Sequence, residues 1–256
     1  GAVKMTLLDV GQGLAAVVQT ATHFLVFDTG AKFSNDSDMG RSVLLPFLWA
    51  QGLQSLDALI VSHGDNDHIG GAQSLLAELP ATQLLTSVPQ QLAGYAPTPC
   101  RAGQSWQWDQ VTFSILSPDQ ELSSDNDNSC VLKIQSAYGS ALLPADIEVD
   151  AEARLVQRYG SALSAAILVA PHHGSKTSSS WSFLQTVKPD YVLIPAGYQN
   201  QFGHPHPEVL QRYRQLNSQW LSSAEHGAIE VKLEPGHIDV QCLRASAARY
   251  WNNRPQ

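Results

Sequence analysis

The sequence predicts an α/β fold in which two mixed β-sheets are sandwiched between helices, and three observations support this prediction. The first half of the chain is rich in apolar strand-like segments. The second half alternates such strands with helical segments. The residues capable of chemistry stand where predicted strands end, which is typical of sites on α/β folds.

The first half is predicted to begin with three consecutive strands, at 3–10, 14–21 and 23–30, with Gly-Gln-Gly as a tight turn. A short helix is predicted at 40–52, with Pro46 in its first turn or at a kink. A helix opened by a glycine pair is predicted at 70–79. Further apolar segments predict strands at 56–62, 81–87, 111–117, 130–136 and 141–146.

The second half is predicted to alternate the two element types. Helices are expected at 147–160, 178–187 and 206–217. Strands are expected at 165–171, 191–197, 227–234 and 236–243. Only the stretch 117–129 is markedly loop-like and polar, and no repeat or linker is visible, so residues 1–256 are predicted to form one domain.

Composition narrows the class of protein. With 256 residues, 43% apolar content and a mean hydropathy of -0.14, the chain is expected to be soluble and globular. No run of about 18 apolar residues is present, so no membrane-spanning segment is predicted. Cys100, Cys130 and Cys242 lack CxxC spacing, so we expect neither a disulfide framework nor a thiolate zinc site. No organic cofactor is expected.

Charge is distributed unevenly along the chain. Residues 1–150 hold 16 Asp/Glu and 5 Lys/Arg, and residues 151–256 hold 7 and 10, within a net charge of -8. An acidic protein does not attract nucleic acid through its overall field. A polyanionic ligand would have to be held by bound cations and a local basic patch in the second half.

Potential metal ligands are concentrated at three predicted strand ends. His63, Asp65, Asp67 and His68 follow the strand 56–62, Asp146 is the last residue of the strand 141–146, and the pair His172-His173 follows the strand 165–171. Four such residues in six positions exceed what helix capping needs, although Asp67 and Asp146 are both placed to act as N-caps. The spacing predicts two ions, one held by His63 and Asp65 and one by Asp67 and His68, with Asp146 as a bridge.

The motif SHGDNDHIGG resembles the HxHxDH motif of the metallo-β-lactamase superfamily, with Asp65 at the second histidine position. Together with LLDVGQGLA, FDTGA and PHHGSKTSSS, it is similar to the C-terminal domain of the ComEC family, membrane channel proteins that carry DNA in natural transformation. The resemblance implies an αββα fold and a metal-dependent nuclease that degrades the non-imported strand. It also implies that the domain is part of a larger polytopic protein, at the periplasmic face of the inner membrane.

The resemblance suggests roles for further residues. It favours His173 over His172 as the ligand of the second ion, with the other histidine in a supporting position. Asp28 is expected to orient the ligand turn. His204, in GHPHP, is expected near the mouth as a phosphate contact or proton donor, although turn chemistry alone explains this stretch equally well.

One departure from the superfamily pattern concerns the metal. No histidine lies between His68 and Asp146, and the resemblance aligns the missing imidazole with Asn128 or Ser129, which are expected to face the metals. Ligation that is rich in oxygen favours manganese over zinc. The usual glycine before the bridging carboxylate is Ala145 here.

The predicted reaction is hydrolysis of single-stranded DNA at two divalent ions. A water between the ions loses a proton and attacks a phosphate, while Asp67 orients that water. The segment GSKTSSS at a helix N-terminus is expected to hold a neighbouring phosphate through Ser175, Lys176 and Ser178, although the serines are also simple capping residues.

Two other functions are compatible with the sequence. One is a hydrolase of the same fold that acts on a lactam or thioester. The other is a non-catalytic DNA-guiding module whose first metal site is incomplete.

Overall fold

The computed structural model describes residues 1–246, and the predicted strand and helix series is largely confirmed. Within these residues the strands are β1 Val3–Leu7, β2 Ala16–Gln19, β3 Phe24–Phe27, β4 Lys32–Ser34, β5 Ser37–Asp38, β6 Leu56–Val61, β7 Ala81–Thr86, β8 Thr98–Pro99, β9 Ser105–Trp108, β10 Val111–Ser117, β11 Val131–Ser136, β12 Gly139–Leu143, β13 Ile167–Val169, β14 Tyr191–Ile194, β15 Gln219–Ser222, β16 Ile229–Glu234 and β17 His237–Cys242.

The α-helices are α1 Leu45–Ala50, α2 Asn66–Ile69, α3 Ala72–Glu78, α4 Val149–Tyr159, α5 Trp181–Val187, α6 Pro207–Gln215, α7 Ser223–His226 and α8 Leu243–Ser246. A π-helical turn precedes α1, and Pro46 lies in the first turn of α1, as predicted. None of the helices described here is long and apolar enough to cross a membrane.

Two mixed sheets form the centre of the fold. The larger has the strand order β17-β16-β1-β2-β3-β6-β7-β8, and the smaller has the order β15-β14-β13-β12-β11-β10-β9. In each sheet an antiparallel part joins a parallel part, formed by β3, β6, β7 and β8 in one and by β12 to β15 in the other. The αββα arrangement predicted from the sequence is confirmed.

Apolar side chains fill three layers. Leu7, Phe27, Phe113 and Ile134 belong to the layer between the two sheets, and all are fully buried. Two further clusters lie between the outer faces of the sheets and the helices. Each fully buried Leu or Phe contributes about 1.5–3 kcal/mol of transfer free energy, so the layers hold the strand ends in fixed relative positions.

A disulfide between Cys100 and Cys130 corrects the expectation from the sequence. Cys100 directly follows β8 of the larger sheet, and Cys130 directly precedes β11 of the smaller sheet. The bond therefore links the edge strand of the larger sheet to an interior strand of the smaller one. The spacing of the cysteines could not reveal this bond, because the two residues are 30 positions apart and form no short motif.

Other elements were not predicted. No sequence pattern indicated the small β4–β5 hairpin, the short strands β8 and β9, or the elements β15 and α7. These elements are two to four residues long, which is too short for a periodic apolar pattern to appear.

Candidate active site

The ligand turn that follows β6 is fixed by its backbone. The Leu14 amide donates to the Asp67 carbonyl at 3.1 Å, and the amide and hydroxyl of Thr29 both donate to the His68 carbonyl at 2.8 Å. Gly13 has a φ of +135°, and a Cβ at this position would lie 2.5 Å from the Asp67 carbonyl oxygen. Glycine is therefore required there for the close approach of the two turns.

Side chains from three strand ends converge beside this turn. His68 Nε2 lies 3.1 Å from Asp146 Oδ1 and 3.3 Å from His173 Nε2. His173 Nε2 in turn lies 3.2 Å from Asp67 Oδ2 and 3.3 Å from Asp146 Oδ2. Two groups of three ligand atoms result, each within 4.8 Å, namely His63-His68-Asp146 and Asp67-His68-His173. Five of the six predicted metal ligands are thus brought together.

The three imidazoles of the cluster are oriented by hydrogen bonds at Nδ1. His68 Nδ1 lies 2.8 Å from Asp28 Oδ2, and His173 Nδ1 lies 2.8 Å from the Pro195 carbonyl oxygen, so each nitrogen donates its proton. His63 Nδ1 lies 3.0 Å from the Ser62 hydroxyl. Nε2 of each ring is left to take either a proton or a metal ion, which is the arrangement that ligating histidines need.

The residues present fit a pair of divalent cations. His63 Nε2 is buried without a hydrogen-bond partner, because its nearest carboxylate oxygen, Asp65 Oδ2, is 3.5 Å away. An unpartnered buried nitrogen is costly unless a cation or a water meets it. Asp146 faces both groups of ligand atoms with its two oxygens, as a bridging carboxylate would.

The charges of the cluster depend strongly on one another. Burial opposes ionisation of Asp146, but the neighbouring His173 and His68 outweigh it and hold the pKa of that carboxyl well below its usual range. Burial likewise opposes protonation of His173, yet Asp146 and Asp67 raise its pKa to about 9. Metal binding at these nitrogens must therefore displace protons.

Several residues at the strand ends have left-handed backbone conformations that are uncommon for residues other than glycine. The φ angles are 58° at Asp28, 52° at Ala145, 47° at His172 and 55° at His173. Each costs on the order of 1 kcal/mol, and such residues cluster at functional sites. The value at Ala145 gives a physical reason why glycine is the usual residue at this position.

The rim of the site carries the remaining predicted residues. Asp65 has a side chain that is 55% exposed and lies outside both groups of ligand atoms. His172 points its Nδ1 to Glu148 Oε1 at 3.1 Å, while its Nε2 is 3.7 Å from Asp146. The His204 ring lies 5.7 Å from that of His172, and burial beside the other histidines lowers its pKa to about 4.

Asn128 and Ser129, which were expected to face the metals, have different surroundings. The Asn128 amide is turned away and bonds to the backbone of Leu122 and Ser124, closing the polar loop. The Ser129 hydroxyl lies 3.3 Å from His63 Nδ1, on the side of the ring opposite Nε2. Ser129 therefore supports the candidate ligand His63, and neither Asn128 nor Ser129 takes the place of the missing imidazole.

At the predicted phosphate site, most of the polar groups around the start of α5 already have partners within the fold. The amides of Ser179 and Ser180 donate to the buried carboxylate of Glu152 at 2.5 and 2.7 Å, so they are already occupied by an anion. The Ser178 hydroxyl donates to backbone carbonyls, and the Ser175 hydroxyl lies 2.9 Å from that of Thr177. Lys176 remains as an exposed cation close to the cluster in sequence.

Sequence reasoning did not identify four residues that shape the site: Ser62, Glu148, Glu152 and Pro195. Ser62 stands between a buried strand and the first ligand, which is a usable signal for a supporting hydroxyl. Glu148 lies inside the predicted helix 147–160, but in the structure it is the N-cap residue of α4, a position for which the sequence had suggested Asp146. Pro195 acts through its carbonyl, which no residue type reveals.

The fold and this cluster define a metallo-β-lactamase-fold domain. The family model described as "Metallo-beta-lactamase superfamily" matches residues 8–104 of this chain. Among solved structures, the metallo-beta-lactamase fold protein YhfI from Bacillus subtilis superimposes with a TM-score of 0.59 at 13% identity, covering 90% of this chain and 99% of that one. This similarity shows the shared fold.

Curated relatives specify the family further. The chain is 36% identical over 252 residues to "Competence protein ComA" of Neisseria gonorrhoeae, covering 98% of this chain and 35% of that protein. It is 34% identical over 249 residues to "Recombination protein 2" of Haemophilus influenzae, covering 97% of this chain and 31% of that protein. The chain belongs to the ComEC family as its metallo-β-lactamase-like domain, and it spans about a third of the length of these relatives.

Proposed function

We propose that this domain is a metal-dependent phosphodiesterase that hydrolyses single-stranded DNA, and that it degrades the non-imported strand during DNA uptake. The observation that carries the proposal is the pair of ligand groups that share His68 and face Asp146 from both sides. Relatives named as competence and recombination proteins support DNA as the substrate class.

Two divalent ions held by His63, His68, Asp146, Asp67 and His173 would supply Lewis acidity and lower the pKa of a water toward about 7. Asp65 at the rim would complete the coordination shell of the first ion if its side chain rotated toward His63. The mixed set of imidazole and carboxylate ligands, without the third imidazole of the first site, favours manganese over zinc.

Asp67 is suited to orient the attacking water. Its side chain is 30% exposed, so it reaches the mouth of the site as well as His173. Burial alone would raise the pKa of Asp67, but His173 and His68 lower it below its usual value, so the group is a carboxylate at neutral pH. A carboxylate accepts a hydrogen bond from water and so would hold the water in position for attack.

His204 and Lys176 are the proposed contacts to the substrate phosphates. His204 Nδ1 is buried without a hydrogen-bond partner, and its ring stands beside both His172 and His173. We assign it a hydrogen bond to a substrate phosphate; the lowered pKa keeps the ring neutral at neutral pH, which disfavours the alternative role of proton donor to the leaving oxygen. Lys176 adds one positive charge near the mouth of an otherwise acidic domain.

The Cys100–Cys130 disulfide supports the proposed periplasmic location, because disulfides form and persist in oxidising compartments. The membrane-channel part would lie in the remaining two thirds of the protein that the relatives possess.

The decisive experiment measures hydrolysis of single-stranded DNA across a series of divalent metals, with the chelated protein as baseline. We expect manganese to support faster turnover than zinc. Absence of hydrolysis with every metal, together with retained DNA binding, would favour the DNA-guiding module instead. That alternative has its own support in the missing third imidazole.

A further inference from the structure

An exposed aromatic ring lies next to the candidate active site. Phe202 is 57% exposed, and its ring lies 5.8 Å from that of His204 at an interplanar angle of 27°. The His204 ring lies 6.4 Å from that of His173 at 21°. Three roughly parallel rings therefore lead from a candidate metal ligand to the surface, and the last of them leaves one face to solvent.

The loop that carries Phe202 is braced so that the ring has a fixed position. The Asn200 amide nitrogen donates to the carbonyls of Gly197 and His204, at 2.9 and 2.6 Å, and its oxygen accepts from the His204 amide at 3.0 Å. The Gly197 amide donates to the Gln12 side chain at 3.1 Å, which ties the loop to the turn beside Asp67. A single side chain thus closes the loop and presents its aromatic residues outward.

Exposing a phenylalanine on a braced loop has no benefit for folding, because the ring buries little apolar surface there. The flanking residues Gln199, Asn200 and Gln201 are polar, so the surface is not a broad apolar patch of the kind that protein partners need. Tyr198, which is 70% exposed on the same loop, is separated from Phe202 in sequence by these polar residues. A single exposed aromatic ring of this kind matches a single planar group. Nucleobases are such groups, and they stack on aromatic side chains regardless of sequence.

We propose, building on the DNA phosphodiesterase function above, that Phe202 is a stacking platform for an unpaired nucleobase next to the phosphate being cleaved. A chain with a net charge of -8 does not attract DNA through its overall field, so stacking would add affinity to that of the proposed metal ions and Lys176. Bases in a duplex are already stacked on one another, so Phe202 would also make the site selective for single strands.

The test compares binding of two single strands of equal length and charge by fluorescence anisotropy, one of oligodeoxythymidylate and one with abasic sugars throughout. Phe202→Ala should weaken binding of the first strand by about fivefold to 150-fold, the range for one lost base stack, and should change binding of the abasic strand far less. Phe202→Trp should restore the affinity. Tyr138→Ala is the matched control, because Tyr138 is 38% exposed and lies in the β11–β12 turn, at the edge of the sheet opposite Asp146.

Equal losses on both strands, or a loss no larger than that of the Tyr138 variant, would overturn the stacking role. Measuring binding in chelator keeps this result separate from catalysis. If the wild-type protein hydrolyses no DNA with any metal but the base-dependent loss is present, the nuclease proposal fails and the stacking platform stands. If hydrolysis occurs but the loss is absent, the reverse holds.

Discussion

Replacing Asp28 with asparagine should weaken metal binding without disturbing the packing around it, because the variant changes the hydrogen bonds of this side chain and hardly its shape. Asp28 is fully buried, and its two oxygens accept from the Ser62 amide at 2.6 Å, the Ser62 hydroxyl at 2.7 Å and His68 Nδ1 at 2.8 Å. Asparagine has nearly the same shape but replaces one acceptor oxygen with an NH₂ donor. Every contact of Asp28 requires an acceptor, so no orientation of the amide satisfies them all.

The two orientations of the amide have different costs. With NH₂ toward His68, the imidazole must place its proton on Nε2, which points at the proposed metals. With NH₂ toward the Ser62 amide, two buried donors face each other, at a cost of about 1–3 kcal/mol. Loss of such an orienting partner typically reduces metal affinity 10–100-fold, which corresponds to about 1.4–2.7 kcal/mol.

The assay is Mn²⁺ titration of Asp28→Asn by calorimetry, with unfolding in chelator as a check of the fold. Asp38→Asn is the matched control, because Asp38 is a buried carboxylate that accepts from the Ser74 hydroxyl and the Arg41 amide, outside both groups of ligand atoms. Wild-type manganese affinity in Asp28→Asn would refute the orienting role, as would an equal loss of affinity in the Asp38 variant.

Three further predictions concern single residues of the site. Asp67→Ala and His68→Ala should each abolish DNA hydrolysis while circular dichroism shows an intact fold, and wild-type rates in both would disprove the metal-hydrolase proposal. Lys176→Ala should weaken single-stranded DNA binding without removing metal. Because one phosphate contact is lost, the slope of log affinity against log salt concentration should become smaller by about 0.7. DNA titrations over a range of salt measure this slope, and an unchanged slope would leave Lys176 without a role. In the chelated protein, the raised pKa of His173 adds stability that is fully present below pH 6.5 and is lost as the pH rises through about 9. The free energy of unfolding, measured in urea, should therefore fall over this pH range, and it should fall less in His173→Gln. Parallel curves for the two proteins would contradict this.

The positions of the ligands could be predicted because they depend on local order. His63, Asp146 and His173 each follow an apolar strand, and strand ends of parallel segments meet at one edge. The supporting contacts were harder to predict. Asn128 and Ser129 were assigned to the metals by alignment alone, yet the direction of a side chain in an irregular loop depends on which backbone groups it must satisfy.

Two other errors have a common physical origin, which is that pairing across long sequence distances leaves no local pattern. The amides of Ser179 and Ser180 resembled a free anion site, but Glu152 from α4 reaches them through the tertiary fold. Cys100 and Cys130 meet only because β8 and β11 lie in facing sheets. Hydrophobic periodicity, which is local, placed the strands and most helices to within a few residues.

The covalent link between the sheets has a consequence for how the substrate is admitted. Cys130 directly follows Ser129, which touches His63, so the disulfide closes the sandwich immediately behind the first ligand. The two sheets cannot separate where this bond joins them, so the domain cannot open there to admit a substrate. A substrate of the proposed reaction would therefore approach across the outer surface, where the loops around the mouth can contact it, while the candidate ligands behind those loops keep their spacing.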